Sequence, residues 1–193
     1  MTGTTFGPGE PADRALVEAA RRGDLYSWER LVRRYQEPVY RIAWLVVRDS
    51  DLAEKATQST FVRAYRALPS LQDAAALLPW LIRIAAGESR QQRRESGRPN
   101  PSDRPIQRSA TPQLPATPIA GLGEVSDLSP RERQDVVEAF DRLGEDDRLV
   151  IAVRYLLGLS RADAADALSV GTGLVDEALR GAMVHLRSRL GPA

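Results

Sequence analysis

Cysteine is absent and His185 is the only histidine, which removes the material for disulfides, thiolate metal sites, cysteine nucleophiles and a histidine-based acid–base or metal centre. The plain reading of His185 is a surface residue on a helix. Lysine is nearly absent as well, with Lys55 the only one, and that skew is explained by a GC-rich genome as readily as by a need for guanidinium groups. No charge sign dominates: 27 basic against 26 acidic residues leave a formal net charge of +1. Any binding of nucleic acid must then come from local clustering of arginine, not from a global field. No apolar run reaches the roughly 18 residues of a membrane span, and Met1 to Pro11 lacks the basic and apolar regions of a signal peptide. The expectation is a cytoplasmic protein with no membrane insertion. Gly171 and Gly173 form only a fragment of a phosphate loop, without a preceding strand or a following lysine, so an enzyme, a metal and a cofactor are not expected.

What is present is enough for a real core: 193 residues, 42% hydrophobic and 27% charged. Six of the 13 prolines fall between Pro99 and Pro118, among Ser, Thr, Asn and Gln, which is the composition of a linker. Helical periodicity occupies both sides of it, and sustained period-two alternation is missing. The fold class expected is all-α, with a disordered N-terminal tail over 1–12, a first helical domain over 13–96, a flexible proline-rich linker over 97–127 and a second helical domain over 128–190.

In the first segment Leu16, Val17 and Ala20 recur at helical spacing, and Asp24 is placed to cap a helix presenting Trp28, Leu31, Val32 and Tyr35. Pro38 is expected to kink or restart that helix, whose stripe resumes through Val39, Ile42, Ala43 and Val46. Asp51 with Glu54 reads as the capped start of a third helix burying Leu52, Ala56, Phe61, Ala64, Tyr65 and Leu68. Pro79 suits the first turn of a fourth, with Trp80, Leu81, Ile84 and Ala85 inward and a basic far end.

In the second segment Val136, Val137, Phe140 and Leu143 mark one helix, and Leu149, Val150, Val153, Leu156 and Leu157 the next, ended by Gly158. Ser160 with Asp163 is a capping box for a short helix to Leu168. After a tight turn over Ser169 to Thr172, a last helix turns Val175, Leu179, Ala182, Met183, Leu186 and Leu190 inward. Two unequal helices across a short turn make a helix-turn-helix, which spacing alone leaves open between a DNA reader and a plain packing unit.

The order and spacing of these segments resemble the extracytoplasmic-function sigma factors over nearly the whole chain apart from tail and linker. DLAEKATQSTFVRAYRAL, Asp51 to Leu68, looks like the family helix that binds the polymerase clamp, and PWLIRIAAGESRQQRR, Pro79 to Arg94, like the helix that melts and holds the downstream promoter element. RLGEDDRLVIAVRYLLGLSRADAADAL, Arg142 to Leu168, leads into the helix-turn-helix, with VGTGLVDEALRGAMVHLR in the recognition position. The resemblance implies a sigma region 2-like bundle and a region 4-like helix-turn-helix, core RNA polymerase and promoter DNA as partners, and an anti-sigma factor as a further partner the family allows. It implies polymerase contacts at Asp51, Glu54, Gln58, Phe61, Arg63 and Tyr65. It implies DNA contacts at Trp80, Arg83, Arg90, Arg93 and Arg94, where an aromatic surface lies beside a cationic track. In the recognition helix the corresponding positions are Thr172, Gly173, Asp176, Glu177 and Arg180.

Some positions depart from the family. Usually acidic positions of the clamp helix are Lys55 and Ser59, and the usual Arg-Asn pair of the melting helix is Ala86 and Gly87. The recognition helix carries Leu174, Asp176 and Ala178 where Thr, Lys and Arg are usual. Acids facing a polyanion lose affinity, although a first helical turn favours them for its own reasons. The alternative function is therefore a sigma-like module for protein interaction that has lost promoter recognition.

Overall fold

The computed structural model describes residues 11–97 and 130–190; most of the expected linker lies outside them, as do the expected tail through residue 10 and the side chain of His185. Among the described residues the chain is helical. It forms α1 (Pro11–Arg21), α2 (Leu25–Val47), α3 (Ser50–Ala67), two 3-10 turns (Leu68–Ser70 and Ala74–Ala76) and α4 (Leu77–Glu95). After the linker come α5 (Pro130–Asp141), α6 (Glu145–Ile151), α7 (Arg161–Leu168) and α8 (Thr172–Leu190).

Local chemistry sets the helix ends. Asp24 caps α2, its carboxylate accepting the Tyr26 N–H at 3.2 Å and the Ser27 hydroxyl at 2.5 Å. Pro38 neither breaks nor restarts α2, which continues through it to Val47. Its ring is buried, so packing offsets the backbone hydrogen bond it removes. At the far end Arg48 adopts a left-handed conformation (φ 53°), a strained choice for a side chain with a Cβ, with its guanidinium 4.1 Å over the Trp44 ring. The cap of α3 is Asp49, which accepts the Leu52 N–H at 3.0 Å; the expected cap, Asp51, is an exposed residue of the first turn.

Of the expected capping box at Ser160 and Asp163 the serine half is formed, the Ser160 hydroxyl oxygen accepting the Asp163 N–H at 3.1 Å, while the Asp163 carboxylate accepts the Ser160 hydroxyl and not its backbone N–H. α6 runs on as a π turn over Ala152–Leu156, which periodicity did not foretell.

The first core is built by α2, α3 and α4, with Leu31, Val39, Ile42 and Val46 facing Ala53, Ala56, Ala64, Leu81, Ile82 and Ala85. The alanines let α3 and α4 approach closely. Val17 and Ala20 of α1 close one side, and the buried Asp13 carboxylate is paired with the Tyr35 hydroxyl at 2.6 Å and Arg34 at 3.1 Å. In the second half Leu149, Val153, Leu159, Ala164 and Val175 are buried around α6, α7 and α8. α7 packs against α4, and α6 against α2, so the two halves share one contiguous apolar cluster. Two residues assigned inward lie outward: Tyr65 at the end of α3 and Val137 on α5 are exposed. Each is the flanking member of its stripe, where helical spacing discriminates least.

Candidate nucleic-acid and protein interfaces

α3 presents a continuous outer stripe. Asp51, Glu54, Gln58, Val62 and Tyr65, spaced three and four residues apart, are all exposed, acidic and polar at the start and apolar at the end. Val62 was not expected there; its place midway between Gln58 and Tyr65 was the available signal. Phe61 lies beneath this face, buried, and helps to build it. Its ring packs edge-on against Trp28 at 6.2 Å, and Trp28 in turn touches Tyr65 at 5.3 Å, so one aromatic group sets the end of the stripe. Arg63 is exposed but held by Glu88 of α4 at 2.7 Å. Lys55 is exposed and Ser59 half-buried.

On α4, Trp80 is half-buried against the core, so its indole is mainly an anchor. Ala86, the counterpart of a family cation, is buried at 2% exposure, while Gly87 is exposed with open space where a Cβ would stand. Three of the cations that remain are held by acids of the second half. Arg83 donates through Nε to the Asp166 carbonyl at 3.0 Å and pairs with the Asp166 carboxylate. Arg90 meets Glu145 at 2.8 Å and Asp146 at 3.3 Å. Arg93 meets the same Glu145 and donates to the Val46 carbonyl at 3.0 Å. Arg94 is exposed.

The carboxylate partners all lie in the second half and were not anticipated. Their visible trace is the Glu145-Asp146-Asp147 run in the first turn of α6, a natural place for acids beside a helix N-terminus. The same seam holds Arg48 paired with Asp141, and Arg148, which is 1% exposed and donates to the Leu143 and Asp141 carbonyls. Burial first, and the Arg48 cation second, push the Arg148 guanidinium below its ordinary pKa, with Glu145 and Asp141 pulling the other way.

On α8, Thr172, Gly173, Leu174, Glu177 and Arg180 are exposed, and Ala178 packs partly against the core. The helix begins at Thr172, so Asp176 and Glu177 lie beyond its first turn, and the dipole does not account for them as expected. Asp176 is instead held by Arg161 of α7 at 2.9 Å, which offsets part of its charge within the motif. Arg180 donates back to the Asp176 carbonyl at 3.3 Å.

A family model, sigma-70 region 2, matches residues 31–98. An extracytoplasmic-function RNA polymerase sigma-E factor of Haemophilus influenzae is 28% identical over 182 residues, covering 93% of this chain and 96% of its own. The sigma-E factor of Escherichia coli K12 is 31% identical over 171 residues, 84% of this chain and 86% of its own. Among solved structures, the sigma factor RpoE of Bartonella quintana in complex with the anti-sigma factor NepR is similar at TM-score 0.62 and 25% identity, over 84% of this chain and 95% of that one. CnrH in complex with the cytosolic domain of CnrY shares the fold at TM-score 0.63 and 23% identity, over 91% and 94%.

Proposed function

The chain belongs to the extracytoplasmic-function sigma factors of RNA polymerase, and from that premise we propose which parts of it do the work. It is an RNA polymerase sigma factor, with core polymerase and promoter DNA as its partners. The first half, 13–96, docks on the polymerase through the outer stripe of α3 from Asp51 to Tyr65, and carries downstream-element DNA on Arg83, Arg90, Arg93 and Arg94 of α4. The second half, 128–190, supplies the upstream contact through α8, with Arg180 as the exposed cation among its described side chains, and 97–127 connects the two. The observation that carries this assignment is the outward stripe of α3 on the same packed bundle as the cationic end of α4, within the span matched by sigma-70 region 2. The work is binding and positioning, with catalysis left to the polymerase, and its place is the cytoplasm where the polymerase acts. Among the described residues no helix is long and apolar enough to cross a membrane.

The relative solved with an anti-sigma factor supports extending that kind of partner to this chain. A module without promoter recognition is not favoured, because the similarity to sigma-E factors runs through both halves.

Co-purification with core polymerase tests the docking face. Glu54→Arg with Gln58→Ala alters two exposed positions, so helicity is kept while capture falls at least about tenfold, as expected for losing more than 1.4 kcal/mol. Full capture by the double variant contradicts the assignment.

A further inference from the structure

A second cationic face lies on α2, used by neither the docking stripe of α3 nor the arginines of α4. With about 3.6 residues per turn, Tyr26, Glu29, Arg30 and Arg33 gather on the side of α2 opposite the buried Ser27, Leu31 and Tyr35. All four are exposed, and with Arg34 they line an open depression of about 470 Å³. Trp28, which meets Phe61 and Tyr65 of α3, points to the far side, so a partner seated on the α3 stripe leaves this face free. The Tyr26 ring is 68% exposed and has no ring contact among the described residues. Its faces are open to stack on a base. We propose that this face of α2 is a second binding site for single-stranded nucleic acid, with Tyr26 stacking on a base and Arg30, Arg33 and Arg34 taking the neighbouring phosphates.

The three arginines stand ready in different ways. Arg30 is exposed and has no ion-pair partner among the described residues. Arg33 meets Glu29 at 2.7 Å, but the two side chains are 75% and 55% exposed, a pair that water screens and a phosphate displaces. Arg34 is fixed from behind by the buried Asp13 carboxylate at 3.1 Å, which also accepts the Tyr35 hydroxyl at 2.6 Å, so its guanidinium is positioned in advance. Glu29 is the one acid lining the depression, and a strand that takes Arg33 leaves it to solvent. An aromatic ring beside a row of cations is the arrangement by which unpaired strands are held. A duplex keeps its bases stacked on one another and has no use for the tyrosine. From Tyr26 to Arg34 the helix rises about 12 Å, room for a few nucleotides. Nothing in the site depends on where α4 or α8 meets DNA.

The test uses the full chain and an oligo-thymidylate carrying 5-iodouracil in place of one thymine. Ultraviolet cross-linking followed by peptide mass spectrometry is expected to place the attachment at Tyr26. Arg30→Gln with Arg33→Gln lowers affinity about tenfold or more and cuts the log–log salt slope by about 1.4, two phosphates of a single strand at about 0.7 each. Tyr26→Ala lowers affinity about fivefold or more and leaves the slope unchanged. All three positions are exposed, so circular dichroism of the variants matches the native chain. Arg90→Ala with Arg93→Ala keeps the Tyr26 cross-link, which separates this site from α4. Attachment confined to other residues, or full affinity in both α2 variants, overturns the proposal. Equal affinity for the corresponding duplex removes the role of Tyr26 and overturns it too. Binding of labelled polyglutamate where the oligonucleotide shows none assigns the face to an acidic polypeptide instead.

Discussion

α4 and α8 are the same length, 19 residues each, and both are proposed above to meet DNA, yet their charge is arranged oppositely. α4 ends in arginines whose carboxylate partners come from the other half. The Asp176 acid of α8 is matched by Arg161 within its own half. Opening the chain therefore changes the electrostatic face of α4 greatly and that of α8 hardly at all. A helix can carry the right charge and be silent until its partner leaves, or be open and, among its described side chains, carry little charge to use.

The largest expected effects ask whether the two halves stand as separate cooperative units. All three tryptophans, Trp28, Trp44 and Trp80, lie in the first half, so fluorescence reports that half and far-ultraviolet circular dichroism reports both. Leu31→Ala removes a side chain 1% exposed and lowers the fluorescence-detected stability by about 3 kcal/mol. Arg148→Ala strips the Leu143 and Asp141 carbonyls of their donor and destabilises the second half by about 3 kcal/mol, seen by circular dichroism. The fluorescence transition moves less than the circular-dichroism one, because Arg148 lies outside the first core and its loss reaches that core only through the contacts of the seam. A single shared transition that moves equally for both variants breaks the comparison.

Next in size are the caps. Asp49→Ala at α3 and Ser160→Ala at α7 each cost about 1 kcal/mol in denaturant titration, and Asp51→Ala costs less than about 0.5. Smaller again is the charge of α8. Glu177→Lys, at an exposed site, steepens the salt dependence of duplex binding by about 0.9 in the log–log slope, one phosphate contact. Ala178→Arg adds less, since that residue packs against the core. The smallest effect is in acid. The Ser27 hydroxyl, ahead of the Tyr26 and Ser27 backbone groups, holds the Asp24 carboxyl below its ordinary pKa. A depressed folded pKa contributes stability above the unfolded value of about 3.9 that disappears as pH falls through the folded one. Asp24→Asn accordingly lowers stability slightly at neutral pH and flattens the acid limb of a pH-stability curve, so that the variant and native curves converge below about pH 4.

Much of the fold was readable because its causes are local. The stripes of α2 and α4, the cap at Asp24, the box at Ser160 and the stop at Gly158 (φ 66°) each need only a few neighbouring residues. Asp51 was mistaken for the α3 cap because Asp49 lies just before it and either acid suits a first turn; only backbone conformation separates them. Pro38 passed as a break because sequence does not show what a helix packs against. The candidate site was legible as residue types and not as state. Arg48 and Asp141 are 93 positions apart, and Arg90 and Glu145 are 55 apart, distances at which no periodicity connects two residues. Tyr65 and Phe61 were read as equals; both rings meet Trp28, and only the folded chain shows that Phe61 is buried and Tyr65 exposed.

The contrast between α4 and α8 is tested most directly in the assembled enzyme, where core polymerase holds the chain on a pre-opened promoter bubble. Affinity for that DNA is measured for the native chain, for Arg90→Ala with Arg93→Ala, and for Arg180→Ala, with polymerase binding checked in each. The α4 variant is expected to lose about tenfold or more, two phosphate contacts at physiological salt, and the α8 variant less than about twofold. Equal affinity for the α4 variant and the native chain, or a larger loss from Arg180→Ala, contradicts the account.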